Sequence, residues 1–223
     1  MGIRGVLWDM DGVIMDTGSF HYQAWANTLS LYNIPFSHEL FQETFGMNNW
    51  GVLSKLLGHK PDQEFHDTIS DQKEKIFREI IHGKASALPG VIETLKFLKS
   101  KGIRQAIASS APQENIDILV DELNLRNSFD ALVSGSRLIG KPAPDVFLAS
   151  AQVIGIPPQH CLVIEDAVTG VEGAKRAGML CLAVTNTNPA EKLQRADYIV
   201  DSLLQIEPGF LEGLLGDSQG FLE

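Results

Sequence analysis

Two carboxylates, Asp9 and Asp11, stand two positions apart in VLWDMDGV (6–13), directly behind an apolar run and ahead of a glycine. A second pair, Glu165 and Asp166, ends another apolar run in CLVIED (161–166). An acid at a strand end commonly caps the helix that follows, and for one pair alone that reading stands level with a functional one. Two pairs meeting at one rim would repel unless a cation sat between them, and an all-oxygen ligand set suits Mg²⁺. A hydroxyl, Ser109, follows QAIA (105–108), and Lys141 stands in GKPAP (140–144). Taken singly, the serine reads as a turn or cap residue and the lysine as a solvated charge. Together with a carboxylate-held metal they would form an anion site of phosphate size.

Such chemistry requires strands that end where these residues stand. Short apolar runs at 3–8, 105–109, 131–135, 161–166, 180–184 and 197–200 read as strands, and beyond residue 88 they alternate with helical patterns. That alternation predicts a parallel sheet covered on both faces. Residues 17–87 contain no convincing strand but show helical patterns at 18–32, 38–45, 48–57 and 62–82. The last places Phe65, Ile69, Ile76, Phe77, Ile80 and Ile81 on one face with charges opposite. The expected fold is α/β: a doubly wound parallel-sheet (Rossmann-like) core of residues 1–16 and 88–223, with an all-helical insert at 17–87. An insert behind the first strand would overhang the strand ends where open α/β sheets bind ligands. Small residues at its crossings, 15–18 and 83–88, could absorb hinge rotation. The terminal GDSQGFLE (216–223) is expected to fray.

The 223 residues suffice for a substantial core in one or two domains. A hydrophobic fraction of 44% and a charged fraction of 21% are ordinary for a globular protein. The net charge of −10 argues against binding nucleic acid. An anionic substrate would need local positive charge from a metal or a few placed lysines. No segment suits a signal peptide or reaches the roughly 18 apolar residues of a membrane span, and a myristoylation pattern at Gly2 fails at Val6. A cytoplasmic protein is expected, with no membrane contact and no protein partner implied. Cys161 and Cys181, in apolar surroundings without CxxC spacing, read as reduced core residues.

At this point the chain resembles a family. DMDGV (9–13) is similar to the first motif of the haloacid dehalogenase-like hydrolases, DxDG[VT]; AIASS (106–110) resembles the second, KPAPDVF (141–147) the third and IEDAVTG (164–170) the fourth. The motifs fall in the right order over nearly the whole chain. The insert resembles the helical cap of the subgroup holding β-phosphoglucomutase and many small phosphatases, with DTGSFHYQAW (16–25) and FGMNNW (45–50) as counterparts. The resemblance implies that Asp9 is a nucleophile carrying an aspartyl-phosphate and that Asp11 is the general acid–base. Asp9, Asp11 (through its carbonyl), Glu165 and Asp166 would hold Mg²⁺. Ser109, Ser110 and Lys141 would bind phosphoryl oxygens, and His21, Asn48, Asn49 and Trp50 would face a small phosphorylated metabolite.

Other patterns fail on inspection. GSRLIGKP (135–142) begins like a P-loop but has Pro142 where Ser or Thr would hold a metal, and HELFQ (38–42) lacks the second histidine of a zinc protease. His38, His59, His66, His82 and His160 read as surface residues. His21 matches a hinge histidine found in the mutase and in many phosphatases of the subgroup. The mutase, however, has an arginine where this chain has Asn49 and a lysine where it has Pro112. A bisphosphorylated intermediate would be poorly held unless Lys55 or Lys60 substituted. The expected activity is therefore a Mg²⁺-dependent phosphatase acting on a small phosphate monoester, with sugar phosphates among the candidates and the mutase and a catalytically silent binding protein as alternatives. Dehalogenation is disfavoured because that chemistry does not need Asp11.

Overall fold

A computed structural model describes residues 2–215, so GDSQGFLE lies outside the described residues. The strands are β1 (Gly5–Trp8), β2 (Arg104–Ser109), β3 (Ala131–Ser134), β4 (Cys161–Glu165), β5 (Leu180–Val184) and β6 (Tyr198–Val200). All pair in parallel, in the order β3-β2-β1-β4-β5-β6. The fold is the expected α/β, Rossmann-like one. Strand β1 is shorter than the 3–8 run because Ile3 and Arg4 donate outside the ladder, to the carbonyls of Leu214 and His160.

The pleat of β1 divides the core. Val6 and Trp8 join the apolar cluster on one sheet face, with Leu95 of α5 (Val91–Ser100) and Ile116 of α6 (Gln113–Glu122). Leu7 joins the other, with Phe147 of α7 (Asp145–Val153) and Ala174 of α8 (Val168–Arg176). Cys161 and Cys181 are free and buried in that second cluster, as expected. A ninth helix, α9 (Pro208–Leu215), buries Leu211 and Leu215; its two glycines hide it from the sequence pattern. Among the described residues no helix is long and apolar enough to cross a membrane.

Between β1 and α5 lie α1 (Gly18–Ser30), α2 (His38–Thr44), α3 (Asn49–Leu57) and α4 (Gln63–Ile81). Side-chain caps start three of them: Ser37 accepts from the Leu40 N–H, Asn48 from Gly51 and Asp62 from Phe65. Trp25, Leu29, Val52, Leu53 and Ile69 form a separate apolar cluster among these helices. The two chain crossings run side by side, with the Leu88 N–H donating to the Ile14 carbonyl at 2.8 Å.

Helix α4 departs from the expected pattern. Its buried residues include His66, Ser70, Lys73 and Glu74 alongside Ile69, Phe77 and Ile81. The surface reading of His66 is therefore corrected: its ring is buried and stacks on Trp50, centroids 3.8 Å apart. Glu74 Oε1 accepts from Asn49 Nδ2 and Lys73 Nζ, both at 2.9 Å, and Oε2 accepts from Asn115 Nδ2 of α6 at 2.6 Å. A buried charge survives only with such partners. Burial alone would raise the Glu74 carboxyl, but Lys73 and the amide donors outweigh it and hold it below its ordinary 4.5. A depressed carboxyl adds stability that is present above the unfolded value and lost as pH falls through the folded one. Glu74→Gln is accordingly expected to cost about 3 kcal/mol or more at pH 7, since it strands the buried Lys73. In urea titrations that difference should shrink as pH falls below the ordinary carboxyl range. A pH-independent difference would show that the Glu74 charge contributes nothing.

Candidate active site

The chain passes from β1 through β2 to β3 on one side of the sheet, then returns to place β4 on the other side of β1. The switch point of this doubly wound sheet thus lies between β1 and β4, where such folds leave a crevice at the carboxyl ends of the strands. Trp8 pairs with Ile164, and the Asp9 N–H donates to the Ile164 carbonyl at 2.9 Å. The next residues on the two strands are therefore neighbours: Asp9 on one, Glu165 and Asp166 on the other.

Two glycines allow this approach. Gly12 has φ +87°, and a Cβ there would overlap the Asp166 carboxylate; a Cβ at Gly170 would overlap that of Glu165. Carboxylate oxygens of Asp9, Glu165 and Asp166 lie within 4.8 Å of one another. Lys141 Nζ, its side chain fully buried, donates to Asp9 Oδ1 and Glu165 Oε1, both at 2.5 Å. Glu165 Oε2 accepts from the backbone N–H groups of Asp166 and Ala167, both at 2.8 Å, so both its oxygens are engaged. Asp166 Oδ2 accepts from the Thr187 hydroxyl. Its Oδ1 is buried and has no partner among the described residues.

One ammonium does not balance three carboxylates. Burial, reinforced by Glu165 and Asp11, pushes Asp9 up to about 8 although Lys141 opposes it. Burial and the charges of Glu165 and Asp9 likewise raise Asp166 well above the ordinary range. A divalent cation fits here: the donors are all oxygen, one buried oxygen lacks a partner, and a nearby positive charge would restore the ionised forms.

Asp11 faces elsewhere. Its Oδ1 accepts from Thr17 Oγ1 at 2.5 Å and lies 3.1 Å from His21 Nε2, both from the segment entering α1. Lys73 Nζ of α4 lies 3.0 Å from His21 Nδ1, and Phe77 stacks on the imidazole, centroids 4.0 Å apart. Burial would raise the Asp11 carboxyl, but His21 first and then Thr17 outweigh it and hold it below the usual range. Asp9 and Asp11 thus line one pocket, with Asp9 paired to Lys141 beside the β4 acids and Asp11 to Thr17 and His21.

The remaining sequence-selected residues divide. Ser110 lines a pocket of about 40 Å³ with Asp9, Asp11 and His21, and its hydroxyl donates to the Gly46 carbonyl at 2.9 Å. Ser109 is fully buried and accepts from the Ala111 N–H, the arrangement of a turn residue. Asn49 and Trp50 line a second, larger cleft. Asn48 lines neither: it caps α3 and its Nδ2 donates to the Leu138 carbonyl. Lys55 does not line the cleft, Lys60 Nζ lies 4.9 Å from the ring centroid of the cleft-lining Trp50, and the guanidiniums lining it are Arg78 and Arg137.

Sequence reasoning missed Lys73, Glu74 and Thr187. Lys73 stands four residues from both Ile69 and Phe77, so its helical phase was a readable signal. Thr187, in TNTN (185–188) directly behind β5, is a polar cluster at a strand end like those that were recognised.

Known proteins sharpen these observations. A family model for haloacid dehalogenase-like hydrolases matches residues 3–178. A phosphorylated carbohydrates phosphatase of Thermotoga maritima is 32% identical over 182 residues, covering 79% of this chain and 82% of that protein. The β-phosphoglucomutase of Bacillus subtilis is 30% identical over 207 residues, 89% of each chain. The crystal structure of a Clostridium difficile β-phosphoglucomutase superposes with a TM-score of 0.84 at 27% identity, covering 92% of this chain and 93% of that one. With four motifs converging on one switch point and a family match over most of its length, this chain belongs to the haloacid dehalogenase-like hydrolases.

Proposed function

We infer that this protein is a Mg²⁺-dependent phosphatase that hydrolyses a small phosphate monoester through an aspartyl-phosphate on Asp9. The observation that carries this reading is the Asp9 carboxylate. It sits at the switch point with one oxygen on a buried ammonium, beside an acid whose Oδ1 has no partner. The Thermotoga relative, a phosphatase of phosphorylated carbohydrates, supports a sugar-phosphate-like substrate.

In this mechanism an Asp9 oxygen attacks phosphorus while the bond to the leaving oxygen breaks, and that oxygen takes a proton from Asp11. Asp11, now ionised, accepts a proton from the water that attacks the aspartyl-phosphate; Asp9 is released with inorganic phosphate. The hydrogen bonds from Thr17 and His21 favour ionised Asp11, so the arrangement described suits the second, hydrolytic half. Ser109, Ser110 and Lys141 position phosphoryl oxygens. Asp9 and Asp166, with the Asp11 carbonyl and Glu165 beside them, would hold Mg²⁺, which when bound supplies positive charge to the acids and the phosphoryl group. The helices of residues 17–87 act as a cap that brings His21 and Lys73 to Asp11 and excludes bulk water.

β-Phosphoglucomutase is the second reading, favoured by the Bacillus relative's coverage of 89% of each chain. A mutase holds phosphates at both ends of a sugar, and this chain has Asn49 and Pro112 at the positions where the resemblance leads one to expect cations.

Asp9→Asn is expected to lower phosphate release by several orders of magnitude while the circular dichroism spectrum is retained, because an amide cannot form the acyl phosphate. A folded variant keeping about a tenth of the activity would exclude Asp9 as nucleophile. Chelation with EDTA should abolish turnover and Mg²⁺ should restore it; full activity in excess chelator would remove the metal from the reaction. Phosphorus NMR with β-glucose 1-phosphate, Mg²⁺ and a trace of the 1,6-bisphosphate should show inorganic phosphate as the main product or no reaction. Glucose 6-phosphate accumulating without phosphate release would establish the mutase instead.

A further inference from the structure

Asn115 stands in the first turn of α6 and is fully buried, where an amide is tolerated only with partners for both its ends. Both partners come from α4. Its Nδ2 donates to Glu74 Oε2 at 2.6 Å, and its Oδ1 accepts from Arg78 at 3.0 Å. A carboxylate only accepts and a guanidinium only donates, so the amide meets α4 in a single orientation. Glu74 and Arg78 stand one turn apart, so one core side chain grips two successive turns of the helix. The chain just ahead of α6 touches the helical segment as well, where Ser110 Oγ donates to the Gly46 carbonyl.

From Glu74 the contacts run inward. Its Oε1 accepts from Lys73 Nζ at 2.9 Å, and the same Nζ lies 3.0 Å from His21 Nδ1. An ammonium carries donors and no acceptor, so Nδ1 accepts and the ring proton stands on Nε2. Nε2 lies 3.1 Å from Asp11 Oδ1, which receives that proton as a hydrogen bond. Every donor and acceptor between Asn115 and Asp11 is thus fixed in direction by residue type. The amide sets the carboxylate, the carboxylate sets the ammonium, and the ammonium sets the tautomer of the imidazole facing Asp11. The first of these links crosses from α6 to α4, so the path is complete only while α4 rests on the core.

We propose that Asn115 is a positioning residue for the proton-handling step: by fastening Glu74 to α6 it holds Lys73 where the His21 proton is kept on Nε2, toward Asp11. The proposal deepens the phosphatase reading and rests on it for the role of Asp11. The placement of the His21 proton does not depend on that reading.

Exchanging the two polar groups tests it. Asn115→Asp sets a carboxylate against Glu74, and Glu74→Gln sets an amide against one that Arg78 holds with its Nδ2 forward. The double variant restores a complete set. The new amide at position 74 donates to the new carboxylate at position 115, its oxygen still accepts from Lys73, and the negative charge stays within the pair. In the unsubstituted protein, ¹⁵N NMR should show His21, assigned by its loss in His21→Gln, with a bare Nδ1 and a protonated Nε2. Asn115→Asp should abolish that pattern. With an aryl phosphate and Mg²⁺ it should lower kcat about tenfold to hundredfold, the range of one hydrogen bond to a charged group, and change KM less than about threefold. An aryl leaving oxygen needs no proton, so kcat weights the half-reaction in which Asp11 takes a proton from water. The double variant should regain the imidazole pattern and most of the kcat, and it decides the matter where a single variant fails to fold.

A His21 proton found on Nδ1 in the unsubstituted protein would overturn the proposal. So would a pattern or a kcat left unchanged by Asn115→Asp, a rise in KM with kcat retained, or a double variant no better than the poorer single one. Loss of the folded state in the double variant, whose hydrogen-bond set is complete, would count equally against it. Failure of the phosphatase reading appears separately, as absence of phosphate release by the unsubstituted protein, and the imidazole pattern then still decides the positioning.

Discussion

A carboxylate shielded from bulk water resists ionisation. The buried Lys141 ammonium, shared between Asp9 and Glu165, is the interaction that opposes this at the strand ends. It is insufficient alone, since burial and the neighbouring acids still push Asp9 up to about 8. The remaining imbalance gives the Asp166 oxygen without a partner a physical meaning. Three carboxylates beside one ammonium make an all-oxygen donor set that suits a divalent cation. Much of the core follows from building this cluster: adjacent parallel strands to bring the acids together, a switch point to leave room above them, and glycines where any side chain would collide with a carboxylate.

The second acid shows why the helices between β1 and α5 belong to the chemistry. Asp11 has the same residue type as Asp9 and lies two positions away, yet the two are held in opposite protonation tendencies. Asp9 sits among like charges; Asp11 receives hydrogen bonds from Thr17 and His21, and His21 is backed by Lys73. Environments that separate the acidities of two carboxyls let one act as nucleophile and the other handle protons. The core supplies one environment and the helical segment the other.

This division explains what could be read from the chain before its fold was known. The strands, their parallel arrangement and the acids at their ends were legible because buried strands are apolar runs, and charges that interrupt them stand out. The helical positions between β1 and α5 were legible from periodicity, whereas α9 was hidden by its two glycines. The contents of the α4 interior were not. Lys73 and Glu74 stand in DQKEK, which reads as a solvated face, and their burial is made tolerable by pairing with each other and by partners 25 to 52 residues distant. Asn48 erred in the opposite direction. Its place in a motif suggested substrate contact, while its side chain is occupied by capping α3 and holding Leu138. Motif position is a local property; burial and partner choice are not.

The same distinction bears on how an acidic protein handles an anionic substrate. A net charge of −10 gives no long-range attraction for a phosphate ester. Recognition must then come from groups held at short range, where low dielectric strengthens each contact. At the strand ends those groups are Lys141 and any cation the acids would hold, and neither depends on what a phosphate is attached to. Discrimination among esters would then have to come from contacts beyond the strand ends.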